Sequence, residues 1–255
     1  MNNIIFQYNN VDKPLLTIKI VVNDEIRSIG FTEFKKDRMN DNLPIFNEII
    51  ASINDFLERK KVEKDKALFL INAAENTKVT TILPKISERK LKKMYETELL
   101  SKIPNADDYD CLSVVSDANN NKIFYEYVVN TKYRKYFEKV GKALGFKDFE
   151  VDYVNSYLFE KATSNIKKDT FAYIYEEFGI ANLLVIIDKE LCGCASFEAK
   201  PSNYRLNIAS IVDKHIYDLE KVNITSLYMN QEIECLDVLT PIVNKYIIGG
   251  KFNEK

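Results

Sequence analysis

Apolar positions along the chain follow two periods, and the changes of period mark the elements. Residues 15–22 and 25–31 are strand-like runs flanking Asn23-Asp24, a pair suited to a tight hairpin turn. From 43 to 60 the period lengthens. Ile45, Phe46, Ile49, Ile50, Ile53, Phe56 and Leu57 recur three and four residues apart, which predicts a helix with one buried face. Residues 66–73 read as a largely buried strand. A strand at 78–83 is followed by Ser87, placed to N-cap a helix running to about 101. Strands at 111–116 and 122–129 flank a polar turn, 117–121. The next helix carries Tyr133, Tyr136, Phe137, Val140 and Leu144 on one stripe, closes at Gly145 as a C-cap, and leads into a strand at 147–153. The order β-α-β-β-α-β is that of a ferredoxin-like subdomain, here about 78–153.

The final third predicts strands at 171–175, 180–187 and 191–198, a helix over 204–220 and a strand at 224–229. Thr240-Pro241 can cap and start a last helix, since proline is tolerated in a first turn. No repeat, low-complexity tract or Pro/Gly/Ser linker interrupts the pattern. Residues 162–169 are the expected hinge between two lobes, 1–161 and 162–255. The class is α/β with mixed sheets.

Composition narrows the chemistry. At 255 residues the chain can bury a core without staples. Its 36 Lys+Arg against 38 Asp+Glu leave a net charge of −2, which argues against a protein built to grip nucleic-acid backbone. The aliphatic run 183–187 is too short to span a bilayer. Polar Asn2-Asn3 follow Met1 without an apolar stretch, so no signal peptide is expected. Cys111, Cys192, Cys194 and Cys235 are too few and scattered for a disulfide framework. The expected location is the cytoplasm. A single histidine, His215, excludes multi-histidine metal sites. Only 7 glycines are present, and backbone amides approach phosphate most closely where side chains are absent.

Several groups invite a functional reading beside a plainer one. His215 shares a stripe with Ile208, Val212 and Leu219, with Asp218 three residues on. An acid/base role has no Ser or Cys motif to serve, and a semi-buried helix histidine suffices. Cys192-Gly193-Cys194 puts two thiols on one strand face, half of a zinc site, or simply small buried cysteines. Lys85, Arg89, Lys92 and Lys93 give the helix after Ser87 a basic face for an acidic partner or membrane surface, although such faces are more often just solvated. Asp107, Asp108 and Asp110 are loop carboxylates that need no catalytic explanation. Phosphate-loop, dinucleotide, zinc-protease and nucleophile-elbow signatures are absent.

Residues 68–104 (LFLINAAENTKVTTILPKISERKLKKMYETELLSKIP) and 128–160 (VVNTKYRKYFEKVGKALGFKDFEVDYVNSYLFE) resemble the PilM family, cytoplasmic actin-like proteins of type IV pilus assembly. The likeness lies in a strand ending Leu83-Pro84, a helix closing at Ile103-Pro104, and a helix ending at Gly145. It implies a two-lobed actin-like, ribonuclease-H-like fold with the ferredoxin-like subdomain inserted in the first lobe. In that superfold two Asp-x-Gly hairpins hold phosphate and Mg²⁺, and a Gly-Gly turn holds adenosine. No Asp-x-Gly occurs in this chain. Residues 4–20 supply neither the aspartate nor the glycine. The second-lobe turn falls on Glu177, Gly179 and Asn182, where only the glycine matches, and the Gly-Gly position reads Asn230-Gln231. The interval before the last strand is short, so most of the helical base-covering subdomain is expected to be missing. The expectation is a pseudo-ATPase with no cofactor, metal or catalytic residue. Its implied partner is a short peptide of a membrane-anchored PilN-like protein, placed near Leu83, Pro84, Leu91, Ile103 and Pro104. The alternative is an actin-like ATPase or kinase with a modified nucleotide site.

Overall fold

The computed structural model describes residues 2–11, 14–22, 25–34, 43–73, 77–103, 105, 108–118, 120–208, 224–233 and 244–248. These fall into two compact units. One runs to residue 74 and resumes over 132–161; the other comprises 75–131 and 162–250.

The first unit is built on a five-stranded sheet. Its strands are β1 (Asn2–Asn10), β2 (Leu15–Val22), β3 (Glu25–Glu33), β4 (Lys66–Ala73) and β8 (Asp148–Tyr153), in the order β3-β2-β1-β4-β8. The first three form an antiparallel meander, whereas β4 and β8 add in parallel. Helices α1 (Phe46–Lys60) and α3 (Lys132–Leu144) pack on each other, and α3 packs on β4 and β8. Their apolar stripes meet an aromatic core: Phe6 stacks on Phe69 at 4.7 Å, and Phe137 lies 5.2 Å from Tyr8 and 5.9 Å from Phe69. Burying each such side chain contributes about 1.5–3 kcal/mol. Gly141 is required by closeness. A Cβ there would come within 2.7 Å of the Phe149 ring, so glycine lets α3 settle onto β8.

The second unit contains two sheets. Strands β9 (Phe171–Glu177), β10 (Ile180–Ile187), β11 (Glu190–Glu198), β12 (Ser226–Met229) and β13 (Asn244–Ile247) are arranged β11-β10-β9-β12-β13. Every residue of β10 is buried, as its apolar run requires, polar Asn182 included. The smaller sheet has β5 (Thr77–Pro84), β6 (Tyr109–Ala118) and β7 (Asn121–Asn130) in the order β5-β7-β6, with α2 (Glu88–Lys102) packed on β5.

Several expectations change. The six-element run at 78–153 does not stay together: β5, α2, β6 and β7 build the small sheet, while α3 and β8 join the first unit. The reason is pairing. The apolar residues Phe149 and Val151 set β8 in register with Ala67 and Phe69 of β4. Strand β1 was not predicted, because Gln7, Asn9 and Asn10 are polar yet buried, and asparagine is a poor strand former. Helix α4 (Val154–Asn165) was also missed, despite Val154, Leu158 and Ala162 buried at four-residue spacing. Ser87 sits at the N-cap of α2 but makes no side-chain capping bond. Gly145 does take the left-handed conformation, with φ 74°. Of the helix predicted over 204–220, α5 (Pro201–Ile208) is present and the remainder lies outside the described residues. So do Asn23-Asp24 and Thr240-Pro241. The last helix does not continue through 244–247, which form β13, where Tyr246 stacks on Tyr228 at 4.9 Å.

Candidate functional site

The positions that the resemblance assigns to nucleotide gather at the ends of β9, β10 and β12. Between β9 and β10 the chain reverses through Phe178 (φ 52°) and Gly179 (φ 75°), both left-handed. Such a two-residue turn matches the twist of its flanking strands, and Glu177 and Ile180 close it as a register pair. A Cβ on Gly179 would meet nothing within 4 Å. Its glycine is explained by backbone conformation, and its carbonyl accepts a hydrogen bond from the Ala199 N–H at 2.7 Å. Asn182 is 1% exposed, and its Oδ1 accepts from Ser196 Oγ at 2.7 Å across the β10–β11 ladder.

Asn230 is the most committed of these residues. Strand β12 ends at Met229, and the Asn230 N–H donates to the Ile174 carbonyl at 3.2 Å. Its carboxamide then reaches Glu176 of β9. Oδ1 accepts from the Glu176 N–H at 2.8 Å, and Nδ2 donates to the Glu176 carbonyl at 2.8 Å. The side chain thus extends the parallel β12–β9 ladder by one more rung. The Glu176 carboxylate accepts from the hydroxyl of buried Tyr204, whose ring lies edge-on to Phe197 at 5.2 Å. A neighbouring glutamate that sequence reasoning passed over is therefore the hub of the cluster.

At the end of β1, where the resemblance would put the first-lobe aspartate, stand Asn9 and Asn10. Asn10 Nδ2 donates to the Tyr133 hydroxyl at 3.4 Å. The Asn9 carboxamide is 1% exposed and makes no hydrogen bond. These side chains are neutral. A hard divalent cation takes charged carboxylate oxygens where it is to be held with affinity.

The remaining candidates separate. His215, Cys235, Asp107 and Pro104 lie outside the described residues, as does the side chain of Cys111. Cys192 and Cys194 lie on β11 without a disulfide, the first buried and the second half-buried. Among the described residues no group of three or more His, Cys, Asp or Glu could hold a metal. Leu83 and Leu91 are buried against Phe124, flanked by Ile86 and Tyr95, and Ile103 is buried against Val128 beside Leu99. Their side chains are spent on fastening α2 to the small sheet, and Pro84 alone of the described set is exposed. Among the described side chains of β5 and α2, the exposed large apolar residues are Ile82 at 53%, Met94 at 41% and Leu100 at 58%. Helical spacing held that signal, because 91, 95 and 99 share one stripe and 93, 97 and 100 share the other.

No protein-family model matches the sequence, and no curated protein matches it. Solved structures do share its fold. The cytoplasmic domain of EpsL, an inner-membrane component of the type II secretion system of Vibrio cholerae, aligns with a TM-score of 0.55 at 10% identity, over 91% of this chain and 83% of that one. The PilM-PilN type IV pilus biogenesis complex aligns with a TM-score of 0.56 at 7% identity, over 95% of this chain and 87% of that one. At such identities the likeness establishes architecture: the chain has the two-lobed, actin-like α/β fold. No helix among the described residues is long and apolar enough to cross a membrane.

Proposed function

We propose that this chain is a non-catalytic cytoplasmic adaptor of a type IV pilus or related secretion machine, recruiting a membrane-anchored platform protein through a short peptide. The observation that carries the reading is the double hydrogen bond from Asn230 to the Glu176 backbone. A turn that serves adenosine in the resembled family is here occupied in holding two strands together. The tyrosine bond to the Glu176 carboxylate and the neutral amides ending β1 support the same conclusion. Backbone amides freed by glycine turns are what would replace the water stripped from a triphosphate. The structural neighbours, an inner-membrane component of a secretion system and a PilM-PilN complex, suggest the kind of platform.

The peptide is best sought along β5. It is an edge strand of the small sheet, and an extended segment can add to such an edge through backbone hydrogen bonds. Exposed Ile82 and Pro84 lie on it, whereas Leu83, Leu91 and Ile103 support it from within. The test is the melting temperature with and without MgATP. Ligand at a hundred times its dissociation constant adds about 2.7 kcal/mol, which would raise the midpoint by roughly 5–10 °C for a chain of this size. No rise is expected. A rise of that size would overturn the adaptor reading and make the protein a nucleotide-binding enzyme with a rebuilt site.

A further inference from the structure

Helix α2 is held by a narrow seam. Leu91, Tyr95 and Leu99 face the small sheet, and the rest of its circumference is exposed. Five cations, Lys85, Arg89, Lys90, Lys92 and Lys93, fall within nine residues at its start, all of them exposed, against one acid, Glu88. Arg89, Lys93 and Thr97 succeed one another at four-residue spacing on the outward face, and Leu100 continues the row. Met94 stands beside it. Two apolar side chains at 41% and 58% exposure thus share the outside of the helix with the basic cluster. The acids Glu96 and Glu98 follow in the second half. Glu96 reaches Lys92 at 3.9 Å, a surface pair of little energetic consequence.

We propose that this face docks directly on an anionic lipid surface. The chemistry is that of an interfacial helix: cations for the headgroup layer and isolated apolar side chains for the boundary beneath it. Shape favours a lipid surface over an acidic peptide. The face is the convex outside of a helix, and a depression on it, about 230 Å³ lined by Lys93, Met94, Thr97 and Glu98, is open to solvent. Side-chain anchors of a docked peptide take enclosed, desolvated pockets, which this open depression does not offer. A planar, fluid partner needs no pocket. The contact is independent of the nucleotide question and lies off the β5 edge, so it stands whether or not the adaptor reading does.

The test is flotation of the full chain with phosphatidylcholine vesicles, with and without phosphatidylglycerol. Binding is expected only to the phosphatidylglycerol vesicles, and it is lost at high salt. The double variant Arg89→Gln, Lys93→Gln binds about thirty-fold more weakly, at about 1 kcal/mol per charge. Both positions are exposed, so its melting temperature stays that of the parent. Leu100→Ser weakens binding without changing its salt dependence. Equal binding to both vesicle types overturns the proposal, as does no binding or full retention by the double variant. A glutamate-rich peptide that binds this face while vesicles stay unbound also overturns it, giving the face to a protein partner.

Discussion

At the residue scale, the Asn230 carboxamide stands in for a unit of backbone. It offers one acceptor and one donor at the spacing of a peptide group, and Glu176 uses both. Asn230→Ala removes two hydrogen bonds and leaves a partly buried N–H and C=O to find water. A loss of about 1–3 kcal/mol in urea unfolding is expected; a loss within error would mean that water replaces the amide freely. Asp152, at the end of β8, makes a pH-dependent prediction. Burial raises its pKa above the usual aspartate range, the Tyr153 N–H at 2.7 Å opposes this, Glu160 and Glu150 add to it, and Arg134 opposes it. A carboxyl whose folded pKa is raised destabilises the fold once ionised and ceases to do so as pH falls through that pKa. Asp152→Asn should therefore raise the melting temperature at neutral pH. Its advantage should shrink as pH falls through that raised pKa and be gone below the ordinary aspartate value of about 3.9. An advantage that persists unchanged in acid would point to packing instead.

At the scale of elements, α2 separates support from surface. Leu91→Ala opens a cavity under the helix and should cost about 2–5 kcal/mol, whereas Leu100→Ala should stay within about 0.5 kcal/mol. Equal costs in urea would show that the two sides of the helix had been confused. Periodicity made α1, α2 and α3 legible, because a helix buries its stripe locally. It made β2, β4, β9, β10 and β11 legible through β-branched and aromatic runs. It did not reveal β1, whose buried Gln7 and Asn9 read as loop residues in the sequence. Nor did it show where β8 would pair. That choice is settled by residues about eighty positions away, through register with Lys66 to Ile71.

At the scale of the whole molecule, distant pairing dominates. Strand β1 lies parallel to β4, β4 to β8, and β9 to β12, each joined across tens of residues. Loop closure must precede those contacts. Refolding from urea is therefore expected in milliseconds to seconds, and completion within microseconds would contradict the topology. The α/β class was legible in the apolar pattern, and the actin-like architecture through the family resemblance of residues 68–104 and 128–160. The absence of Asp-x-Gly was legible directly. The cluster that stands at the corresponding positions was not, because hydrogen bonds among Asn230, Glu176 and Tyr204 join residues from three separate elements.

The Asn230 amide also sets a one-way condition on the sequence at this turn. Asn230→Gly, the change that would free the turn's backbone, removes a rung of the β12–β9 ladder before any ligand exists to compensate. Against a total stability of about 5–15 kcal/mol, a loss of about 1–3 kcal/mol is a substantial barrier to that change. The position works as a ratchet, easy to enter and steep to leave.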